Sequence, residues 1–174
     1  MLIENAAAAK TGFESLLCIS MGVDVFASDW LHCDRISSYV ARMVSHNRTD
    51  SVLYSNLMSS ALNELLETAY RCHGERGELS CRVLRDGRYD RIELEIPSDD
   101  KARAFFAETA EVLARDDAAE QYRAALFADG PVDPRIGLLE LCVDYAAKVQ
   151  IEVFEAGAIL LTAQFDLETE FAHA

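Results

Sequence analysis

Between Asp50 and His73 apolar residues fall four apart, at Leu53, Leu57, Ala61, Leu65 and Ala69, with Tyr54, Leu62 and Leu66 widening the stripe. That period is the broad apolar face of a helix lying on a sheet, so a long helix is expected over this stretch. Asp50 offers an N-cap acceptor, and Gly74 stands where a left-handed residue closes a helix. Upstream, Phe13 to Ser20 reads as a strand, which Val23 to Phe26 continues or pairs with. Ser28-Asp29-Trp30 interrupts the run, and Trp30, the only tryptophan, is expected half-buried between elements. Ile36, Tyr39, Val40 and Met43 then recur at helical spacing, which places a first helix over Asp34 to Val44.

After Gly74-Glu-Arg-Gly77 the period drops to two. Leu79, Cys81 and Val83 alternate with polar residues from Glu78 to Arg85, and Ile92, Leu94 and Ile96 do so from Arg88 to Ile96, leaving Arg82, Arg91, Glu93 and Glu95 on the other side. Asp86-Gly87 between them is a two-residue hairpin signal, because such turns want positive φ. A hairpin apolar on one face needs a cover, and the long helix supplies it. Lys101 to Arg115 and Asp117 to Ala128 read as two helices, on Phe105, Phe106, Ala110, Val112 and Leu113, and on Tyr122, Ala125 and Leu126. Asp133-Pro134 starts another, Pro134 to Lys148. Val149 to Glu155, a turn at Ala156-Gly157 and Ala158 to Leu167 make a closing hairpin. The order helix, hairpin, helical excursion, helix, hairpin predicts an α+β fold: a two-layer α/β sandwich with helices on one face of a mostly antiparallel sheet.

At 174 residues this is expected to be one domain, 1–174, with residues 1–12 flexible. Sixteen basic against 30 acidic residues give a net charge of −14. A field of that sign repels phosphate backbones and anionic lipid, which argues against nucleic-acid and membrane partners and suits docking on a basic patch of another protein. Five cysteines, Cys18, Cys33, Cys72, Cys81 and Cys142, show no framework spacing and read as reduced thiols. With no signal-peptide pattern and no apolar run long enough to cross a bilayer, a cytoplasmic location is expected. His32-Cys33 and Cys72-His73 raise a zinc or thiol-enzyme reading, but no Cys-x-x-Cys or His-x₃-His supports it.

The long helix also carries candidate chemistry. Asn63, Glu64 and Glu67 break its apolar pattern, and Glu64 and Thr68, four apart, share a face. A solvated helix edge accounts for these positions by itself. The stretch Asn63-Glu-Leu-Leu-Glu-Thr-Ala69 nevertheless resembles the N-box of the histidine-kinase-like ATPases, the group that includes gyrase and the anti-sigma-factor kinases, usually Asn-Glu-Leu-Leu-x-Asn-Ala. The order of elements is similar too, and residues 98–135 fall where that family has a mobile lid. Gly137-Leu138 and Asp144-Tyr-Ala-Ala-Lys148 resemble a narrower bacterial branch, the SiaB-type protein kinases and related regulators that work in partner-switching circuits with STAS-like phosphoproteins.

That resemblance implies a sandwich of the histidine-kinase-like ATPase type. It implies Glu64 as general base, Asn63 beside it, Thr68 in place of the magnesium-holding Asn, Asp99 or Asp100 reading adenine, and Gly137 at the phosphates. The family's Asp-x-Gly-x-Gly is missing, since Ile96-Pro-Ser-Asp-Asp100 stands in its place, and side chains crowd a triphosphate where glycines would admit it. The favoured expectation is therefore a degenerate module that takes no nucleotide cofactor and binds a STAS-like antagonist or phosphoprotein. The alternative is an active Ser/Thr protein kinase using Mg-ATP, with magnesium on Thr68. Either is compatible with a homodimer.

Overall fold

The computed structural model describes residues 12–154 and 157–167. The flexibility expected of residues 1–12 thus falls, Gly12 apart, outside the described residues, as do Glu155 and Ala156 of the last hairpin. The chain runs β1 (Glu14–Gly22), α1 (Val23–Phe26), α2 (Leu31–Val44), α3 (Ser51–Arg71), β2 (Glu78–Asp86), β3 (Tyr89–Pro97), α4 (Asp100–Leu113), α5 (Ala118–Leu126), α6 (Ile136–Asp144), β4 (Lys148–Phe154) and β5 (Ala158–Phe165). The strands form a single sheet in the order β1-β2-β3-β5-β4, and every neighbouring pair is antiparallel.

Both expected hairpins are therefore present and share one sheet, joined where β3 pairs β5. Leu79, Cys81, Val83, Ile92, Leu94 and Ile96 are buried beneath the helices, whereas Arg82, Arg91, Glu93 and Glu95 stay at least partly accessible on the opposite face. The fold is the α+β sandwich that the alternation predicts.

α3 is the central cover. Asp50 caps it, its carboxylate accepting the Leu53 N–H at 2.9 Å. The helix buries Tyr54, Met58, Ala61, Leu62, Leu65, Leu66 and Ala69 against the sheet and the flanking helices α2 and α6. Full burial of one such leucine stabilises by about 1.5–3 kcal/mol. The buried stripe is turned slightly from the expected one, because Tyr54 points inward and Leu53 keeps 44% of its surface.

Several sequence expectations are corrected. Val23 to Phe26 is not strand but a turn of helix: Val23 and Phe26, three apart, are both buried while Asp24 and Val25 are exposed. Gly74 is not left-handed. It is glycine because the chain leaving α3 presses on the end of β3, where a Cβ would lie 2.9 Å from the Ser98 carbonyl carbon and 3.0 Å from the Asp99 nitrogen. The hairpin turn is shifted by one residue: Asp86 pairs with Tyr89, so the loop is Gly87-Arg88, and only Gly87 has positive φ. Trp30, at the N-cap of α2, is 46% exposed and so half-buried as expected.

The last helix is shorter than Pro134 to Lys148. Asp133 still caps its approach, accepting the Arg135 N–H at 2.9 Å, but the helix starts at Ile136 and ends at Asp144. The ending has a backbone cause. Ala146 takes φ 46°, the Ala147 N–H turns back to the Leu141 carbonyl at 2.9 Å, and Lys148 opens β4. The Asp144-to-Lys148 motif is thus a helix-to-strand reversal.

At the start of α3 lies a buried polar knot absent from the sequence reading. Asp90, fully buried and on the helix side of β3, accepts from Arg48 at 2.8 Å, from Arg85 Nε at 2.8 Å and from the Tyr54 hydroxyl. Arg85 also donates to the Val44 carbonyl at 2.9 Å, and the Arg48 guanidinium stacks 4.8 Å from the Tyr54 ring centroid. Burial, then the Asp90 charge, pushes the Tyr54 hydroxyl pKa upward, so it remains a donor. Among the described residues, no helix is long and apolar enough to cross a membrane.

Two stability measurements follow from this geometry. Asp90→Ala leaves the Arg48 and Arg85 charges buried without their carboxylate and should cost about 3–5 kcal/mol in urea unfolding; a loss under about 1 kcal/mol would show the knot to be incidental. Ala146→Gly should instead stabilise by about 0.5–1 kcal/mol, because the left-handed conformation strains a Cβ and not a glycine.

Candidate functional site

The residues singled out on α3 gather near its C-terminal half, where α6 crosses it. Glu64 leans on the first turn of α6 at Gly137: a Cβ there would overlap Glu64 Oε2 and lie 3.3 Å from Glu64 Cβ. Glu64 and Gly137, distant in the chain, are thus in contact, and glycine is what lets the carboxyl lie flat against the helix.

Thr68 does share Glu64's side of the helix, but its hydroxyl donates to the Glu64 carbonyl at 2.9 Å and the residue is 1% exposed. Asn63 donates from Nδ2 to Glu67 Oε1 at 2.7 Å, and Arg71 holds the other Glu67 oxygen at 2.8 Å. Asn63 Oδ1 is enclosed with no hydrogen-bond partner among the described residues.

Asp99 and Asp100 are engaged elsewhere. Asp99 is the N-cap of α4, accepting the Ala102 N–H at 2.7 Å, and Asp100 lies in the first turn of that helix, paired with Arg103 at the surface. Neither is among the groups that set the electrostatics of Glu64.

Those groups come from α3 and α6. Burial, then Glu140 on α6 and Glu67 on α3, pushes the Glu64 carboxyl up to about 7, with Arg71 opposing. Glu140 is itself raised by burial and by Asp144. Tyr122 of α5 reaches Asp144 at 3.4 Å, and burial with the Glu140 and Asp144 charges pushes its hydroxyl up to about 12. Burial pushes the Tyr145 hydroxyl up, its hydrogen bond with Ser60 opposing, and Glu140, Glu64 and Asp144 add to the rise.

The site is thus four carboxyl groups, Glu64, Glu67, Glu140 and Asp144, with two tyrosine hydroxyls, and the basic group among its influences, Arg71, is tied to Glu67. Glu140 was not singled out from the sequence, Asp144 entered only as part of a motif and Tyr122 only as part of an apolar stripe. The signal was there: Glu140 and Asp144 stand one helical turn apart in an otherwise apolar helix.

The cysteine reading finds no support in the geometry. Burial, then Glu67, pushes Cys33 up to about 12, and burial, then Cys18, does the same for Cys81, whereas a nucleophile needs a depressed value. His32 and His73 each bond a backbone carbonyl, of Phe26 and Gly74. Among the described residues, no three His, Cys, Asp or Glu side chains are grouped to hold a metal ion.

No family profile matches the chain, and no curated protein matches it. Among solved structures, it is similar to a chain of the crystal structure of the SiaB–SiaC complex from Pseudomonas aeruginosa, with a TM-score of 0.57 and 12% identity, over 87% of this chain and 89% of that one. At that identity the likeness is one of fold.

The Glu64 shift gives a pH test. The folded chain keeps this proton up to about 7, against 4.5 for the free carboxyl. Folded protein therefore binds more protons than unfolded protein between those values, and stability falls as pH rises through that window. With the carboxyl only partly buried, screening reduces the effect to about 1 kcal/mol. Urea midpoints measured across the window should decline in the wild type and flatten in Glu64→Gln; equal slopes would contradict the assignment.

Proposed function

We propose that this chain is a regulator in a bacterial partner-switching circuit: a degenerate module of the histidine-kinase-like ATPase fold that binds a protein partner, a STAS-like antagonist or a phosphoprotein, in the cytoplasm. The observation that carries it is that the Glu64 carboxyl lies against Gly137, where the resemblance would put the phosphates. Carboxyl groups repel phosphates at close range, and the neighbouring cation is neutralised by Glu67. Thr68 is committed to the helix backbone, and Asp99 to a cap. Nothing about the cluster hinders a protein surface bearing Lys or Arg, which the overall charge of −14 also favours. The SiaB–SiaC pairing named for the structural neighbour supplies the precedent for a two-protein complex. The face of α3 around Asn63 and Glu64, with the lid-like residues 98–135, is the docking surface in this reading.

A second reading keeps one observation on its side. A carboxyl with a pKa near 7, beside a glycine at a helix start, is what a general base for phosphoryl transfer would be. Under that reading the chain is an ATP-dependent Ser/Thr protein kinase of SiaB type, Glu64 takes the proton from the attacking hydroxyl, and Thr68 helps hold magnesium.

Calorimetric titration with Mg-ATP separates the two. The module should give no binding heat and no change in melting temperature, whereas a site filled at a hundred times its Kd would be stabilised by about 2.7 kcal/mol. Saturable binding, together with phosphate transfer to a STAS-domain protein that Glu64→Ala abolishes without unfolding the chain, would establish the kinase instead.

A further inference from the structure

The dipeptide Asp-Gly occurs twice in the chain, and the fold treats the two copies differently. An aspartate followed by glycine is open to attack by the next backbone nitrogen on its own side-chain carboxyl, because glycine has no Cβ to hinder that nitrogen. The ring closes only if the peptide plane after the aspartate swings toward the side chain. Hydrogen bonds made by the backbone around that plane decide whether it swings.

At Asp86-Gly87 the plane is held. Asp86 is the last residue of β2 and pairs with Tyr89 across the turn, at the end of a ladder that runs without interruption from Ser80. Its carboxylate lies against Gly12, where a Cβ would stand 2.9 Å from Oδ2. Swinging this peptide breaks the closing rung of the hairpin.

Asp129-Gly130 has no such restraint. It lies between α5 and α6, outside every helix and strand. Both residues are exposed, and a Cβ on Gly130 would meet nothing within 4 Å. Among the described residues, neither Asp129 nor Gly130 makes a hydrogen bond or an ion pair. Gly130 takes φ 120°, which L side chains rarely adopt, so the position favours the one residue that leaves its nitrogen uncovered. Asp50 and Asp117, followed by serine and alanine, instead spend their carboxylates on the Leu53 N–H and on Gln121.

We propose that Asp129-Gly130 is a modification site at which the chain rearranges to an isoaspartyl linkage. The Gly130 nitrogen, giving up its proton, attacks Cγ of the Asp129 carboxyl; one water leaves and a five-membered succinimide closes. A second water opens the ring at the Asp129 main-chain carbonyl, which leaves Gly130 joined through Cγ and a carboxylate on Cα. One water is lost and one gained, so mass and net charge are unchanged and no further reactant is needed. The link between α5 and α6 grows by one backbone carbon. A negative charge moves to the main chain between Phe127 and Val132, which are 84% and 69% exposed. The new carboxylate is the substrate of the class of repair enzymes that methylate isoaspartyl groups with S-adenosylmethionine. This inference is independent of what binds at Glu64.

The test is to age the full chain for weeks at near-neutral pH and physiological temperature, cleave it at its lysines, and label the peptides with an isoaspartyl methyltransferase and radioactive S-adenosylmethionine. Cleavage after Lys10, Lys101 and Lys148 separates the two sites, Asp86 in peptide 11–101 and Asp129 in peptide 102–148. Label should accumulate on peptide 102–148, with peptide 11–101 behind by about tenfold or more, the factor expected of a ladder bond that must open first. In guanidinium, where the fold is lost, the two peptides should label at comparable rates. Asp129→Glu keeps the charge but cannot close a five-membered ring, and should remove the label from peptide 102–148 with far-UV circular dichroism unchanged. Absence of label on peptide 102–148, equal labelling of the two peptides in the folded chain, or label that persists in Asp129→Glu would each overturn the proposal.

Discussion

The Asp90 carboxylate, buried among Arg48, Arg85 and Tyr54, fixes where α3 can lie. It sits on the sheet, and its donors come from the loop after α2, from β2 and from α3 itself. A buried carboxylate left short of donors is costly, so the helix cannot slide or rotate without losing the Tyr54 hydroxyl. With that end held and Asp50 capping it, the rest of α3 follows rigidly at 1.5 Å per residue. Glu64, ten residues on, is thereby delivered to α6 at Gly137. The placement of the candidate site is set by a polar contact at the other end of the same helix.

At the site, burial and charge pull in one direction. Glu140 and Glu67 raise the proton affinity of Glu64, Asp144 raises that of Glu140, and Arg71 and Tyr122 each engage a carboxylate. An arrangement tuned in this way accepts cationic groups readily and phosphates poorly. Glu64 and Thr68 keep the helical relation that the N-box resemblance rests on, while the hydroxyl of Thr68 has turned to the backbone.

The fold was legible where local and tertiary demands agreed. The β2–β3 and β4–β5 hairpins announce themselves by alternation and a turn glycine, and α3 by its four-residue stripe. What stayed hidden was polar material on apolar faces. Continuing the β2 and β3 alternation one step past Val83 and Ile92 places Arg85 and Asp90 inward, but charged residues there look like the hairpin's solvated tip. Helix ends were read too generously for a related reason. Ala146 adopts a left-handed conformation that no alanine advertises, so the apolar run of α6 suggested a helix reaching Lys148. Of the candidate site, the approach of Glu64 to Gly137 and the capping of α4 by Asp99 could not be read from the sequence, because a cap and a ligand use the same residue type and contacts between distant helices leave no local signal.

Strand order has a further consequence, for the route by which the chain folds. Only the β2–β3 and β4–β5 pairings join neighbours in the sequence. The sheet is completed at two distant junctions, where Gly22 meets Glu78 and Pro97 meets Ala158. Each closes a long loop containing helices, so its entropy must be surrendered before any ladder bond compensates. The two ribbons can form early and alone, but each is marginal until joined. The slow event is therefore the meeting of β3 with β5, and until it happens the apolar sides of both hairpins face water.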